Sequence, residues 1–257
     1  MSNMTSAFDS VASSFERFRA LPNGVPEAIR SAIYAAVSIP SPARVLDLGA
    51  GTGRIGRVFA QAGDSYFGLD ASLSMLQEFR RNTKDGFLVQ ADGRQLPFRD
   101  QAFDVVLLMH VLSGTGDFQA MIYEARRVCN QKGIIVVGHT ANPESGIDAQ
   151  LKQKLKLILE QKGIAWHRTQ KAYREALALL EAQSNRHIHV NAASWNVDTT
   201  PQDFFLRHRS GARFAALPAA IREQALQQLS TWAEKTFGTL DKSFKEQRSF
   251  ELDIFEF

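Results

Sequence analysis

With 257 residues, 44% of them hydrophobic and 22% charged, the chain has ordinary globular composition and is long enough for one large α/β domain or a domain with an inserted subdomain. The formal charge of +3 is evenly spread: residues 1–140 carry 14 Lys and Arg against 13 Asp and Glu, residues 141–257 carry 16 against 14, which excludes a basic stripe for a phosphate backbone. The one cysteine, Cys129, excludes an intramolecular disulfide framework and a cysteine-based zinc cluster, and reads as a small buried residue on a helix.

Met1 to Phe8 shows no basic region followed by an apolar core, and the most apolar run, Val105 to Leu112, is only a strand's length. A soluble, cytoplasmic protein without a membrane span is expected, with its oligomeric state open. Phe8, Val11, Phe15 and Phe18 fall at helical spacing and predict an amphipathic helix over 8–19. A second helix is expected from Pro26 to Val37, closed by Pro40 and Pro42. Strands and helices then alternate. Strands are expected over Arg44–Leu48, Ser65–Asp70, Gly86–Ala91, Phe103–His110 and Gly133–Gly138; helices over Arg54–Gln61, Ser72–Asn82 and Phe118–Val128. Near-continuous apolar strands separated by helical patterns argue for a parallel sheet covered on both faces. Beyond Thr140 the pattern turns helical from about Asp148 to Ser184, with a break near Gly163. A strand is expected from Arg186 to Val197, and a helix begins at Thr200-Pro-Gln-Asp, where Thr can cap and Pro suits the first turn. A helix over Pro218–Phe237 precedes Ser249–Phe257, whose period of two predicts a strand at the C-terminal side of the sheet. A single domain over 1–257 is expected: a core of about 40–140 plus 249–257, with a helical cap from 8–37 and about 141–237.

The sharpest local feature is Val45-Leu-Asp-Leu-Gly-Ala-Gly-Thr-Gly-Arg-Ile-Gly, a strand running into glycines and then a helix. Glycines allow a tight turn and close approach of a ligand to the backbone, and the helix start offers free N–H groups. Gly51, Gly53 and Gly56 with Asp70 also satisfy the dinucleotide fingerprint, so a nicotinamide-type oxidoreductase is the rival reading. Asp47, two residues before Gly49, argues the other way. A carboxylate beside the loop suits a cofactor carrying an ammonium and repels a pyrophosphate. Asp70 and Asp92 end the next two strands, where carboxylates can accept ribose hydroxyls and an adenine amine. Three acids at successive strand ends would line one crevice.

These segments, with Gly68-Leu-Asp-Ala-Ser, Met75-Leu76 and Gln90-Ala-Asp-Gly-Arg-Gln-Leu-Pro-Phe, resemble class I S-adenosylmethionine-dependent methyltransferases. In pattern they are similar to the small-molecule branch that includes quinone-biosynthesis and trans-aconitate methyltransferases. The resemblance is strong over Val45–Val137 and looser over Phe15-Glu-Arg-Phe-Arg and the C-terminal strand. It implies an α/β, Rossmann-like seven-stranded sheet whose last strand is antiparallel, and S-adenosylmethionine as cofactor. Gly49, Ala50, Gly51 and Gly53 would hold the methionine portion with Asp47, and Asp70 would hold the ribose. Ala71 or Met75 would flank the adenine, Asp92 and Gly93 would meet its edge, and Met109 would lie near the sulfonium. Many relatives carry a tyrosine where this chain has Phe15, so a hydroxyl contact is missing there.

Methyl transfer from a sulfonium is an in-line displacement that mainly needs alignment and exclusion of water. His110, where the fourth strand opens, is the candidate base or substrate anchor, with His139 the weaker alternative. Phe15, Arg19 and Arg207 are candidate acceptor contacts for a small, partly apolar and anionic molecule, set against ordinary surface charge. His187 and His189 share a strand face but lack a third ligand, so no metal site is expected. A nucleic-acid acceptor is disfavoured, since no Asn-Pro-Pro-Tyr-type tetrapeptide follows the fourth strand. A non-catalytic protein that keeps the cofactor pocket and serves a partner is the remaining alternative.

Overall fold

A computed structural model describes residues 12, 15, 19–112, 117–164, 166, 168–209 and 211–257. Of the helix expected over 8–19, Ala12, Phe15 and Arg19 are described and are helical; the rest lies outside the described residues. Strands β1 (Arg44–Leu48), β2 (Ser65–Asp70), β3 (Phe87–Gln90), β4 (Phe103–Met109), β5 (Cys129–Ala141), β6 (Arg186–Thr199) and β7 (Phe244–Glu256) form one sheet in the order β3-β2-β1-β4-β5-β7-β6. The first five are parallel, with Asp47 beside Gly68 and Leu107, Asp70 beside Gln90, and a register shift between Phe103 and Val105 where β4 pairs β5. The change of direction of strand order at β1 and β4 makes their carboxyl ends the switch point where α/β sheets bind ligands. Toward the C-terminus β6 and β7 run antiparallel, because Arg186, His189 and Asn191 meet Glu256, Asp253 and Glu251 in turn. The last strand lies between β5 and β6, and β5 and β7 are both longer than the apolar alternation alone predicts.

The chain divides into two compact units. The sheet unit comprises Leu21–Thr140, Thr169–Ala193 and Phe250–Phe257; the helical unit comprises Met1–Ala20, Ala141–Arg168 and Ser194–Ser249. Two segments expected in the cap, 21–37 and 169–193, thus fold with the sheet. The reason is visible in α1 (Val25–Ala36), whose Ile29 and Ile33 are fully buried while Arg30 and Tyr34 reach Asp64 just before β2, at 2.8 and 2.6 Å. Helices α2 (Gly56–Gln61), α3 (Leu73–Asn82) and α4 (Phe118–Val128) also belong to this unit. So does α6 (Arg168–Glu181), whose Ala176 and Leu180 join the cluster of Leu46, Leu48, Val106, Leu108, Val137 and Phe255. The local signals are those that the sequence offers: Ser72 caps α3 through Met75 N, and Asp117 caps α4 through Ala120 N.

The helical unit holds α5 (Ile147–Gln161), α7 (Pro201–Arg209), α8 (Ala212–Ala215) and α9 (Ala219–Phe237) around a second apolar cluster of Leu151, Leu155, Phe204, Phe205, Leu229 and Phe237. At the start of α7, Thr200 Oγ1 accepts from Asp203 N at 3.1 Å while Asp203 Oδ2 accepts from Thr200 N at 2.8 Å, a reciprocal cap. Cys129 is buried as expected, but it opens β5 rather than sitting on a helix, and burial pushes its thiol up to about 12.

Candidate active site

The site grows from the end of β1. There Asp47 is 2% exposed, between Leu46 and Leu48 on its own strand, both fully buried. Its Oδ2 accepts a 2.7 Å hydrogen bond from Tyr66 Oη on β2, whereas its Oδ1 is buried and accepts none among the described residues. Burial, with a smaller push from the Asp70 charge, raises this carboxyl to about 7 against the opposing pull of the Tyr66 hydroxyl. A buried carboxylate oxygen without a donor is costly unless something else supplies one.

The chain then turns through Gly49, Gly51 and Gly53 at φ +79°, +57° and +82°, the left-handed region that favours glycine. A Cβ on Gly53 would sit 2.6 Å from the buried Phe79 ring, so that position is closed; a Cβ on Gly51 would meet nothing nearer than Gly49 O at 3.9 Å, so the loop is open there. Asp70 braces the turn from the neighbouring strand: Oδ2 accepts from Gly51 N at 2.9 Å and Oδ1 from Ser72 N at 2.8 Å. Thr52 Oγ1, within the same loop, is buried without a partner among the described residues. These features fit S-adenosylmethionine. The bare Asp47 oxygen can take an ammonium, the gap at Gly51 admits a ligand against the backbone, and Thr52 offers a further hydroxyl.

The remaining expected residues divide. Asp92 lies at the end of β3, but its carboxylate already holds the Arg94 guanidinium, with Nε at 3.0 and 3.1 Å and Nη2 at 2.6 Å, and also accepts from Arg94 N at 2.9 Å. These bonds hold it below the usual carboxylate range. A ligand amine there must share the carboxylate with Arg94. Gly93 is buried, and a Cβ would strike Met121 Cε at 2.8 Å, so its smallness serves close approach to α4. Met75 is 2% exposed on the buried side of α3, and Ala71, four residues earlier, is exposed.

Met109 ends β4 at 6% exposure. His110 follows at φ +58°, exposed, with its N–H donated to Gly138 O at 2.8 Å. Its Nε2 lies 3.4 Å from Thr140 Oγ1 and its ring stands edge-on to Phe250 at 5.5 Å. A left-handed histidine at a strand end is an uncommon, mildly strained conformation, and such residues gather at functional sites. His139 points elsewhere: Nδ1 is 2.9 Å from Tyr173 Oη, and burial lowers its basicity.

His187 and His189 are not a bare strand face. His187 Nε2 and His189 Nδ1 each lie 3.0 Å from Asp253 Oδ1, so cross-strand pairing explains them. Among the described residues, no group of three or more His, Cys, Asp or Glu has the arrangement to hold a metal.

The candidate acceptor contacts lie in the helical unit. Arg207 Nη2 is 2.5 Å from the buried Asp148 Oδ1, and Arg248 Nη2 is 3.5 Å from Asp148 Oδ2. Arg19 Nη2 donates to Arg207 O at 2.8 Å, its guanidinium 5.2 Å from the Phe15 ring centroid. Burial and the Arg207 charge bring Arg19 down to about 10. Both arginines therefore already tie elements of this unit together.

Sequence reasoning missed Tyr66 altogether. It is the one polar side chain among the buried positions of β2, and that isolation was the available signal.

A methyltransferase-domain family model matches residues 46–137. A demethylmenaquinone methyltransferase of Thermotoga maritima is 30% identical over 133 residues, 51% of this chain and 58% of that protein. One from Thermobifida fusca is 29% identical over 204 residues, 76% of this chain and 86% of that protein. This chain spans just under three-fifths of the first two curated relatives it matches, 58% and 59%. Among solved structures, a SAM-dependent methyltransferase of Thermotoga maritima superposes with a TM-score of 0.54 at 12% identity, covering 98% of each chain, a likeness of fold alone.

Proposed function

We propose, from the premise that this chain belongs to the class I S-adenosylmethionine-dependent methyltransferase family, that it transfers a methyl group from S-adenosylmethionine to a small-molecule acceptor. The observation that carries the reading is the buried Asp47 carboxylate with one oxygen bare, directly before an open, left-handed glycine loop. When bound, the cofactor would supply a methyl group on a positively charged sulfur, for in-line transfer to an acceptor lone pair as the carbon–sulfur bond breaks and the neutral thioether leaves.

The chain's own residues bind, orient and screen. Asp47 Oδ1 accepts the ammonium, and Gly49, Ala50, Gly51 and Gly53 lay backbone against the methionine portion. Asp70 stiffens the loop through Gly51 and has acceptor capacity left for ribose hydroxyls. Asp92 and Gly93 stand at the adenine end, with Ala71 across from them. Met109 contributes apolar surface at the end of β4. His110, exposed and held by the Gly138 carbonyl, takes the acceptor's proton where one must leave.

The relatives' printed acceptor, demethylmenaquinone, supports the small-molecule class. The even charge distribution supports an acceptor other than nucleic acid, and no described helix is long and apolar enough to cross a membrane. Phe15, Arg19 and Arg207 are the candidate acceptor contacts of the same reading, with Arg207 already paired to Asp148.

The test is calorimetry with S-adenosylhomocysteine and with NADH. Micromolar binding of the first and none of the second is expected. The reverse preference would install the oxidoreductase reading in its place.

A further inference from the structure

Tyr66 is fully buried, and its hydroxyl is spent on one partner, Asp47 Oδ2. Three glycines on three segments keep the space it occupies. A Cβ on Gly56 would lie 1.9 Å from Tyr66 Oη and 2.8 Å from Asp47 Oδ2; one on Gly86 would lie 2.8 Å from Tyr66 Cδ1; one on Gly68 would lie 3.1 Å from Cε1. A phenylalanine would fill the same ring space against Phe79, at a centroid distance of 5.8 Å, without burying a polar atom. The hydroxyl fills the space beside Gly56 but is not needed to seat the ring, and its polar consequence is felt by Asp47.

We propose that Tyr66 is a positioning residue of the cofactor site: its buried hydroxyl orients the Asp47 carboxylate and keeps it charged, so that Oδ1 faces the ammonium of an S-adenosyl ligand and binding depends on proton concentration. This rests on the cofactor reading above and deepens it. The titratable groups that face Asp47 are Tyr66 and Asp70, both on β2, and they act in opposite directions. Burial and the Asp70 charge favour the neutral acid, and the Tyr66 hydrogen bond favours the carboxylate. With the hydroxyl in place the carboxyl titrates at about 7, so the ionised form is present at neutral pH. Without it, nothing among the described residues opposes protonation, and the ammonium loses its charged acceptor.

Calorimetry of S-adenosylhomocysteine with the full chain from pH 5.5 to 8.5, for the wild type, Tyr66→Phe and Asp47→Asn, tests this. Wild-type affinity should fall about tenfold per pH unit below about 7. Tyr66→Phe should move that fall upward by about one to two pH units, the size of a hydrogen bond to a charged group, and approach wild-type affinity at the alkaline end. Asp47→Asn should show no such fall. A fall at unchanged pH in folded Tyr66→Phe overturns the positioning role. A fall retained in Asp47→Asn assigns the proton elsewhere and also overturns it. If Tyr66→Phe does not fold, replacing all tyrosines with difluorotyrosine, a stronger donor, should move the fall to lower pH; movement the other way or none overturns the proposal. A wild-type chain that binds no S-adenosylhomocysteine at any pH fails the cofactor reading itself, and this inference with it.

Discussion

Replacing Asp70 with alanine removes the acceptor of two backbone donors at once. Gly51 N and Ser72 N, at 2.9 and 2.8 Å from its two oxygens, both lose a charged partner. The two amides differ in what happens next. Ser72 is 1% exposed, so its N–H is left without water, which costs about 1–3 kcal/mol; Gly51 is half-buried at the open side of the loop and can be rehydrated at a smaller loss. A net destabilisation of about 2–3 kcal/mol follows, and at roughly 2–4 °C per kcal/mol for a chain of this size the Tm should fall by about 4–12 °C. Ligand binding should suffer separately. The left-handed turn at Gly51 is no longer braced, and an acceptor for ribose hydroxyls is gone, so S-adenosylhomocysteine should bind about ten- to a hundredfold more weakly, as loss of a charged hydrogen bond of about 1.5–3 kcal/mol dictates. Scanning calorimetry gives the first quantity and titration calorimetry at 25 °C, where the variant stays folded, gives the second. A folded Asp70→Ala protein with wild-type affinity would refute the argument, because bracing and binding would then be independent.

Other perturbations test neighbouring parts of the reasoning. Gly53→Ala places a methyl 2.6 Å from the Phe79 ring at φ +82°, so urea unfolding should show a loss of about 2–4 kcal/mol from overpacking plus left-handed strain; a loss under 1 kcal/mol would mean that the loop relaxes freely. Asp64 is held below the usual carboxylate range because its bonds to Arg30, Tyr34 and Ala43 N outweigh burial. Its stabilisation is therefore present above the unfolded carboxylate range near pH 4 and lost as pH falls through the lower folded value. Asp64→Asn should flatten that acid limb of the stability curve, and an unchanged limb would assign it to other groups. Thr200→Ala should cost about 1 kcal/mol, read by chemical denaturation, by breaking the reciprocal cap with Asp203. His110→Gly relieves the left-handed backbone while removing an exposed side chain, so turnover should drop with stability kept within about 1 kcal/mol; equal loss of both would make His110 a packing residue.

Much of the sheet unit could be read in advance because its signals are local. Apolar strands, the glycine turn, and acids at positions 47, 70 and 92 each fall where strand ends require them. What escaped depends on neighbours distant in sequence. Asp47 and Tyr66 meet only because β1 and β2 pair in parallel, so the partner 19 residues away was invisible to spacing. Arg94 takes the Asp92 carboxylate through a turn two residues long, a pairing that charge alone suggests only weakly. His187 and His189 looked solvated until β7 brought Asp253 beside them. The lengths of β5 and β7 were underestimated for a related reason: their polar ends are held by cross-strand partners rather than by an apolar face.

The tyrosine set among three glycines couples four positions into one mutational unit. A side chain at Gly56, Gly68 or Gly86 is excluded while Tyr66 stands, since each would overlap or crowd the same ring. Shortening Tyr66 would relieve the overlap at Gly56 most, while Leu88 still crowds Gly68 at 3.0 Å and Gly86 keeps its φ of +79°, and it would strip Asp47 of its hydroxyl in the same step. Sequence change here is thus constrained: the glycines cannot drift individually, and shrinking the ring that crowds them passes through a chain with a weakened grip on its ligand. Laboratory evolution toward higher stability, which ordinarily replaces glycines, should leave these three untouched for as long as ligand binding is under selection.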